Sequence, residues 1–179
     1  MLPEPTLPEP DGSGPPGSAT ATAPKSSGRV FLVVIDDSPE LRVAIRYACL
    51  RARKTGGRVA LLYVIDDEDI RQFIGVGEVM RAESRQEAEA LVQRMAAEVQ
   101  DISGAMPVLY LREGSRRDEL LGLIAEEPTI SILVLAASTS PKGPGPLISA
   151  LTGKLLSRLR IPITIVPGNL SDEAIANIA

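Results

Sequence analysis

RVFLVVIDDSPELRVAIRYACLRARKTGGRVALLYVI, residues 29–65, decides the fold. It opens on a continuous apolar run rich in branched residues, Arg29–Asp36, of the kind a strand shows when both of its faces are buried. Ser38 then stands as a helix N-cap with Pro39 at the first helical position, and Leu41, Ala44, Ile45, Ala48 and Ala52 recur on one helical face over Pro39–Lys54. Gly56-Gly57 stops that helix, and Arg58–Ile65 is a second buried strand. Two buried strands joined by an amphipathic helix form a βαβ unit, which pairs its strands in parallel through a right-handed crossover.

Beyond this unit the alternation continues. A connection over Asp66–Gly77 leads to a helix over Glu78–Asp101 with the stripe Ala88, Leu91, Val92, Met95, Val99. Strands follow at Pro107–Arg112, Ser131–Ala137 and Ile161–Val166, separated by helices at Arg116–Glu126 and Leu147–Leu159. The order βαβαβαβαβ predicts an α/β protein with a doubly wound five-stranded parallel sheet and helices on both faces. In such a sheet a ligand binds at the carboxyl ends of the strands, where the strand order reverses. Residues 29–167 form this domain. Residues 1–28, rich in Pro, Gly and Ser with no apolar periodicity, are expected to be a disordered tail, and 168–179 a short helical tail.

Composition narrows the chemistry. Net charge is −4 with no basic block, which argues against nucleic acid and anionic membrane as partners. The longest strand-like apolar run, Ile130–Ala137, is far short of a membrane span, no secretory leader is legible, and Cys49 stands alone, so a cytoplasmic location is expected. There is no histidine, which removes Ser-His and Cys-His nucleophiles and His-based zinc sites. Cys49, on the first helix, reads as small core filler.

The strand and helix of residues 29–52, GGRVALLYVI, LREGSRRDELLGLI (111–124), and LVLAAS followed by Gly153-Lys154 and LSRLRIPITIVP (156–167) together resemble the universal stress protein family. The resemblance covers the chain after the tail. It implies strand order 3-2-1-4-5, a homodimer through the last strand, and, in one branch of the family, binding of ATP or AMP. That branch carries Gly, two residues, Gly, nine residues, then Gly with Ser or Thr, just after the fourth strand. Counting back from Gly153 puts Gly143 at the second glycine, Ser140 at the first and Lys154 at the Ser/Thr place. Aligning by strand end instead puts Ala136 at the first glycine and leaves about four extra residues in the loop. Either way the signature is degenerate.

The candidate nucleotide site follows from both readings. The loop Ser138–Pro146 (STSPKGPGP) lies at the carboxyl edge before a helix, a place suited to phosphate, yet Pro141, Pro144 and Pro146 have no N–H to donate. Ser138, Thr139, Ser140 and Lys142 offer side-chain donors beside Gly143 and Gly145, and a stiff Pro-Gly connector remains the competing account. Asp36, Asp37 and Ser38 end the first strand; the resemblance implies an adenosine contact for Asp36 and a backbone adenine contact for Val64, while an Asx-turn also accounts for Asp36. Asp66, Asp67, Glu68 and Asp69 follow the second strand and, with Asp36 and Asp37, have the oxygen ligands for Mg²⁺; a solvated turn is the plainer account. Gly75 and Gly77 suit a hinge or simply a helix-starting loop. The expected function is a stress-response or regulatory module with a degenerate adenine-nucleotide pocket and no assigned catalytic residue. The alternatives are slow ATP hydrolysis using Asp36 and a metal, and a pure protein-interaction module with an empty pocket and a partner of unknown identity.

Overall fold

β1 (Val30–Val34) is buried on both sides, with Leu32 and Val34 packed on one face of the sheet and Phe31 and Val33 on the other. A computed structural model describes residues 28–66 and 77–179 of the chain. The expected tail falls, but for Gly28, outside the described residues, as do Asp67, Glu68, Asp69 and Gly75. β1 is followed by α1 (Leu41–Thr55), β2 (Arg58–Asp66), α2 (Gly77–Ser103), β3 (Val108–Gly114), α3 (Arg116–Glu126), β4 (Ile130–Ala137), α4 (Pro146–Thr152), β5 (Ile163–Pro167) and α5 (Asp172–Ile178). The strands form one parallel sheet in the order β3-β2-β1-β4-β5, the order that the resemblance implies. The order reverses between β1 and β4.

Each face carries its own helical layer. On one, Leu32, Val34, Leu62 and Leu133 pack with Leu120, Leu123 and Ile124 of α3 and with Ile148 and Leu151 of α4. On the other, Phe31, Val33, Ile35 and Leu61 pack with Ala44, Ile45, Ala48, Cys49 and Ala52 of α1 and with Val92 and Val99 of α2. With each fully buried aliphatic worth about 1.5–3 kcal/mol, the two clusters dominate the stability. α5 closes onto this second layer: Ser171 caps it by accepting from the Ala174 N–H at 3.2 Å, Ile175 is buried, and Asp172 pairs with Arg46 at 3.3 Å. No helix among the described residues is long and apolar enough to cross a membrane.

Two local expectations are corrected. Ser38 is not the cap of α1, which starts later, at Leu41, after Glu40. Asp36 has captured the Ser38 amide and hydroxyl, and a turn closed by Leu41 N–H on the Ser38 carbonyl at 3.2 Å delays the first helical turn. The helix expected over Leu147–Leu159 ends at Thr152; Gly153 leaves helical geometry at φ −98°, ψ −117°, and only a 3₁₀ turn, Leu156–Arg158, follows. Glycine is a poor helix former, and the chain here must turn so that Arg160 can donate to the carbonyls of Ile124, Glu127 and Ile130. Leu155 and Leu159 still reach the apolar cluster.

Candidate functional site

The reversal between β1 and β4 opens a cleft at the carboxyl ends of these two strands. Its floor is Val34, Val134, Leu135 and Ala136, its walls are the start of α1 and the loop before α4, and its volume is about 110 Å³. Asp36 and Ser38 line one side and Ser138 and Gly145 the other; Glu40 and Arg116 complete the polar lining. β1 and β4 deliver Asp36, Ser38 and Ser138 because each strand ends its buried run at the same level, with Val33 beside Val134, and the Ser138 N–H bond to the Pro144 carbonyl brings Gly145 back beside them.

Asp36 is held rigidly. Its Oδ1 accepts from the Ser38 N–H at 3.0 Å and the Ser38 hydroxyl at 2.6 Å, an Asx-turn that fixes the carboxylate at the mouth of the cleft. Asp37 is exposed and does not line the cleft. Val64 does not line the cleft, and its side chain is buried in the core. Its backbone tells more. Arg58 N–H bonds to the Arg29 carbonyl and the Leu62 carbonyl accepts from Ile35, so even-numbered residues of β2 face β1. Val64 therefore aims its N–H and C=O past the end of β1, beside the Asp36 turn.

The loop 138–146 spends half of its backbone donors on itself. Pro141, Pro144 and Pro146 have none, while Ser138 N–H goes to the Pro144 carbonyl, Ser140 N–H to the Ser138 hydroxyl and Gly143 N–H to the Ser140 carbonyl. Gly143 and Gly145 adopt φ of 99° and 112°, conformations open to glycine, and these fold the loop back on β4. Among the described residues, the amides of Thr139, Lys142 and Gly145 are left over, too few and too scattered for a phosphate nest. Ser140, Gly143, Gly153 and Lys154 lie outside the cleft lining, and Lys142 and Lys154 are exposed. Among the described residues no group of three or more carboxylates or thiols is placed to hold a metal ion; Asp67, Glu68 and Asp69, counted in the acidic run, are outside that set.

Arg116 was visible in the sequence only as the first residue of a helix. Of the arginines around the third strand, Arg112 pairs with Glu119 at 3.4 Å and with Glu126, and these hydrogen bonds raise the Arg112 pKa and lower that of Glu126. Arg117 is exposed. Arg116 reaches the cleft, and its Nε is buried without a hydrogen-bond partner among the described residues. No spacing rule reveals this, because the cleft brings together residues about 80 positions apart in the chain.

A sequence profile of the Universal stress protein family matches residues 29–167. No curated protein matches the sequence. Among solved structures, the universal stress protein UspA from Lactobacillus plantarum is 21% identical with a TM-score of 0.61, over 79% of this chain and 99% of that one. A protein of the family from Burkholderia pseudomallei is 22% identical with a TM-score of 0.53, over 80% and 99% of the two chains. The universal stress protein from Archaeoglobus fulgidus, solved in complex with dAMP, is 16% identical with a TM-score of 0.51, over 78% and 98%. At these identities the likeness is one of fold.

Proposed function

Because the chain belongs to the universal stress protein family, we propose that it is a regulatory module that holds an adenine nucleotide at the β1/β4 cleft. One observation carries the reading: Asp36, fixed by the Ser38 turn, stands at the reversal point of the sheet beside the outward-facing Val64 backbone. A carboxylate suits the hydroxyls of a ribose, and a strand's N–H and C=O suit the edge of adenine. The Archaeoglobus relative solved with dAMP supports the class of ligand. The cleft's 110 Å³ falls below the roughly 300 Å³ of sites that engulf a drug-sized molecule, so it takes only the ribose and phosphate end of a nucleotide while the base lies over the strand ends.

AMP or ADP fits better than free ATP. Asp36 and Glu40 both line the cleft, and each carboxylate–phosphate pair at about 6 Å costs roughly 2–3 kcal/mol at an effective dielectric near 20. ATP is expected to bind appreciably only with Mg²⁺. Calorimetry with AMP, ATP and Mg-ATP, beside mass spectrometry of small molecules released on denaturation, tests the reading. AMP binding weakened about tenfold or more by Asp36→Ala supports it; tight binding of metal-free ATP that is indifferent to Asp36→Ala refutes it.

A further inference from the structure

We propose that Arg116 is the phosphate anchor of the cleft, replacing with a guanidinium the backbone nest that the loop 138–146 cannot form. The inference rests on the nucleotide reading and names the group that would receive the phosphate. Arg116, in the first turn of α3, lines the same cleft as Ser138 and Gly145. Its Nε is buried with no hydrogen-bond partner among the described residues, and it forms no ion pair with any of them. Arg116 as a whole is only partly buried, but a donor atom withdrawn from water and left unpaired is unfavourable, and native proteins keep few of them without a use.

Among the described residues no carboxylate pairs with it, Glu40 of the same cleft included. Glu119 and Glu126 are taken by Arg112, and Oδ1 of Asp36 is taken by Ser38. The loop 138–146 has lost three donors to proline and turned three inward. A guanidinium supplies a planar fork of N–H groups that matches two oxygens of a phosphate, and it carries its charge at any physiological pH. A nucleoside monophosphate, with its phosphate at Arg116 and its ribose at Asp36, would satisfy the orphan donor and place opposite charges beside one another.

Calorimetry on the full chain with AMP and with adenosine, for wild type, Arg116→Gln and Arg116→Lys, tests this. Arg116→Gln is expected to weaken AMP roughly ten- to hundredfold, the worth of charge-assisted hydrogen bonds, while adenosine affinity stays within about twofold. Arg116→Lys should recover part of the loss, because it keeps the charge and loses the fork. The ligand-free melting temperature of Arg116→Gln should hold or rise, since an unpaired buried donor is removed. Unchanged AMP affinity in Arg116→Gln overturns the anchor, as does a parallel loss of AMP and adenosine with a lowered melting temperature. Wild type binding adenosine as well as AMP overturns the anchor and leaves the adenosine site standing; wild type binding neither overturns both.

Discussion

Gly168 shows how little room the end of β5 leaves. A Cβ there would lie 2.6 Å from the Ala137 carbonyl oxygen and collide with the Glu40 side chain, while the Gly168 N–H bonds to that same carbonyl at 2.8 Å. Glu40 can move, but the backbone of β4 cannot. Gly168→Ala is expected to cost about 1–3 kcal/mol of stability, read as a lowered melting temperature, and to disturb Glu40 on the cleft wall. Cys49 makes a different kind of statement. It is wholly buried, and burial first, then Glu98, push its thiol from 9.0 up to about 12, against a smaller opposing pull from Arg46. Its folded pKa is raised, so its contribution is intact below about pH 9, where the thiol is protonated in both states. Between about 9 and 12 the unfolded chain loses the proton that the native state keeps, and stability falls as pH rises. Denaturant melts of wild type and Cys49→Ala across this range should show the wild type losing stability more steeply; equal slopes would refute the assignment.

Among the elements, β5 carries the open question of assembly. Leu133 N–H bonds to the Pro162 carbonyl and Gly168 N–H to the Ala137 carbonyl, so even-numbered positions of β5 face β4. Ile163, Ile165 and Pro167 therefore turn their backbone groups to the open edge, and Ile165 is 40% exposed there. An uncovered edge of β-branched residues invites pairing, and a second copy related by a two-fold axis is the partner it fits. A dimer at micromolar concentration is expected by light scattering. Ile165→Pro, which removes an outward N–H and leaves the β4 pairing alone, should give a folded monomer. A substitution at Thr164 cannot make that distinction, because its N–H belongs to the ladder with β4. A monomeric wild type would end the proposal.

At the scale of the whole molecule, β1 joins the two cores. Its successive residues feed opposite clusters, so neither layer can open without exposing the strand that the other packs on. Tyr110 reports on one cluster, and Tyr47 and Tyr63 on the other. Chemical denaturation followed by tyrosine fluorescence and by far-UV circular dichroism should give coincident single transitions. A fluorescence transition that separates from the loss of helix would show that the layers unfold independently.

Sequence alone determined the order of elements, because hydrophobic periodicity and Gly/Pro punctuation are local properties. RVFLVVID and RVALLYVI read as buried strands and proved so, and the helix Arg116–Glu126 is observed with the same limits. The strand order was legible only through family resemblance, since nothing local tells β4 to lie beside β1. Asp36 was legible as a strand-end carboxylate at a reversal point. Its Asx-turn with Ser38 was legible as one of two short-range hydrogen-bond arrangements that compete at DDSP, the other being Ser38 as helix cap, and local sequence does not choose between them. The break at Gly153 depended on Arg160 reaching three carbonyls from distant segments. The loop's glycines and prolines could be counted in the sequence, but which amides remain available is fixed by bonds the folded loop makes to itself. Arg116 was the least legible of all. It becomes a cleft residue only when the crossover helix α3 brings its first turn under the ends of β1 and β4, a long-range juxtaposition that no local pattern encodes.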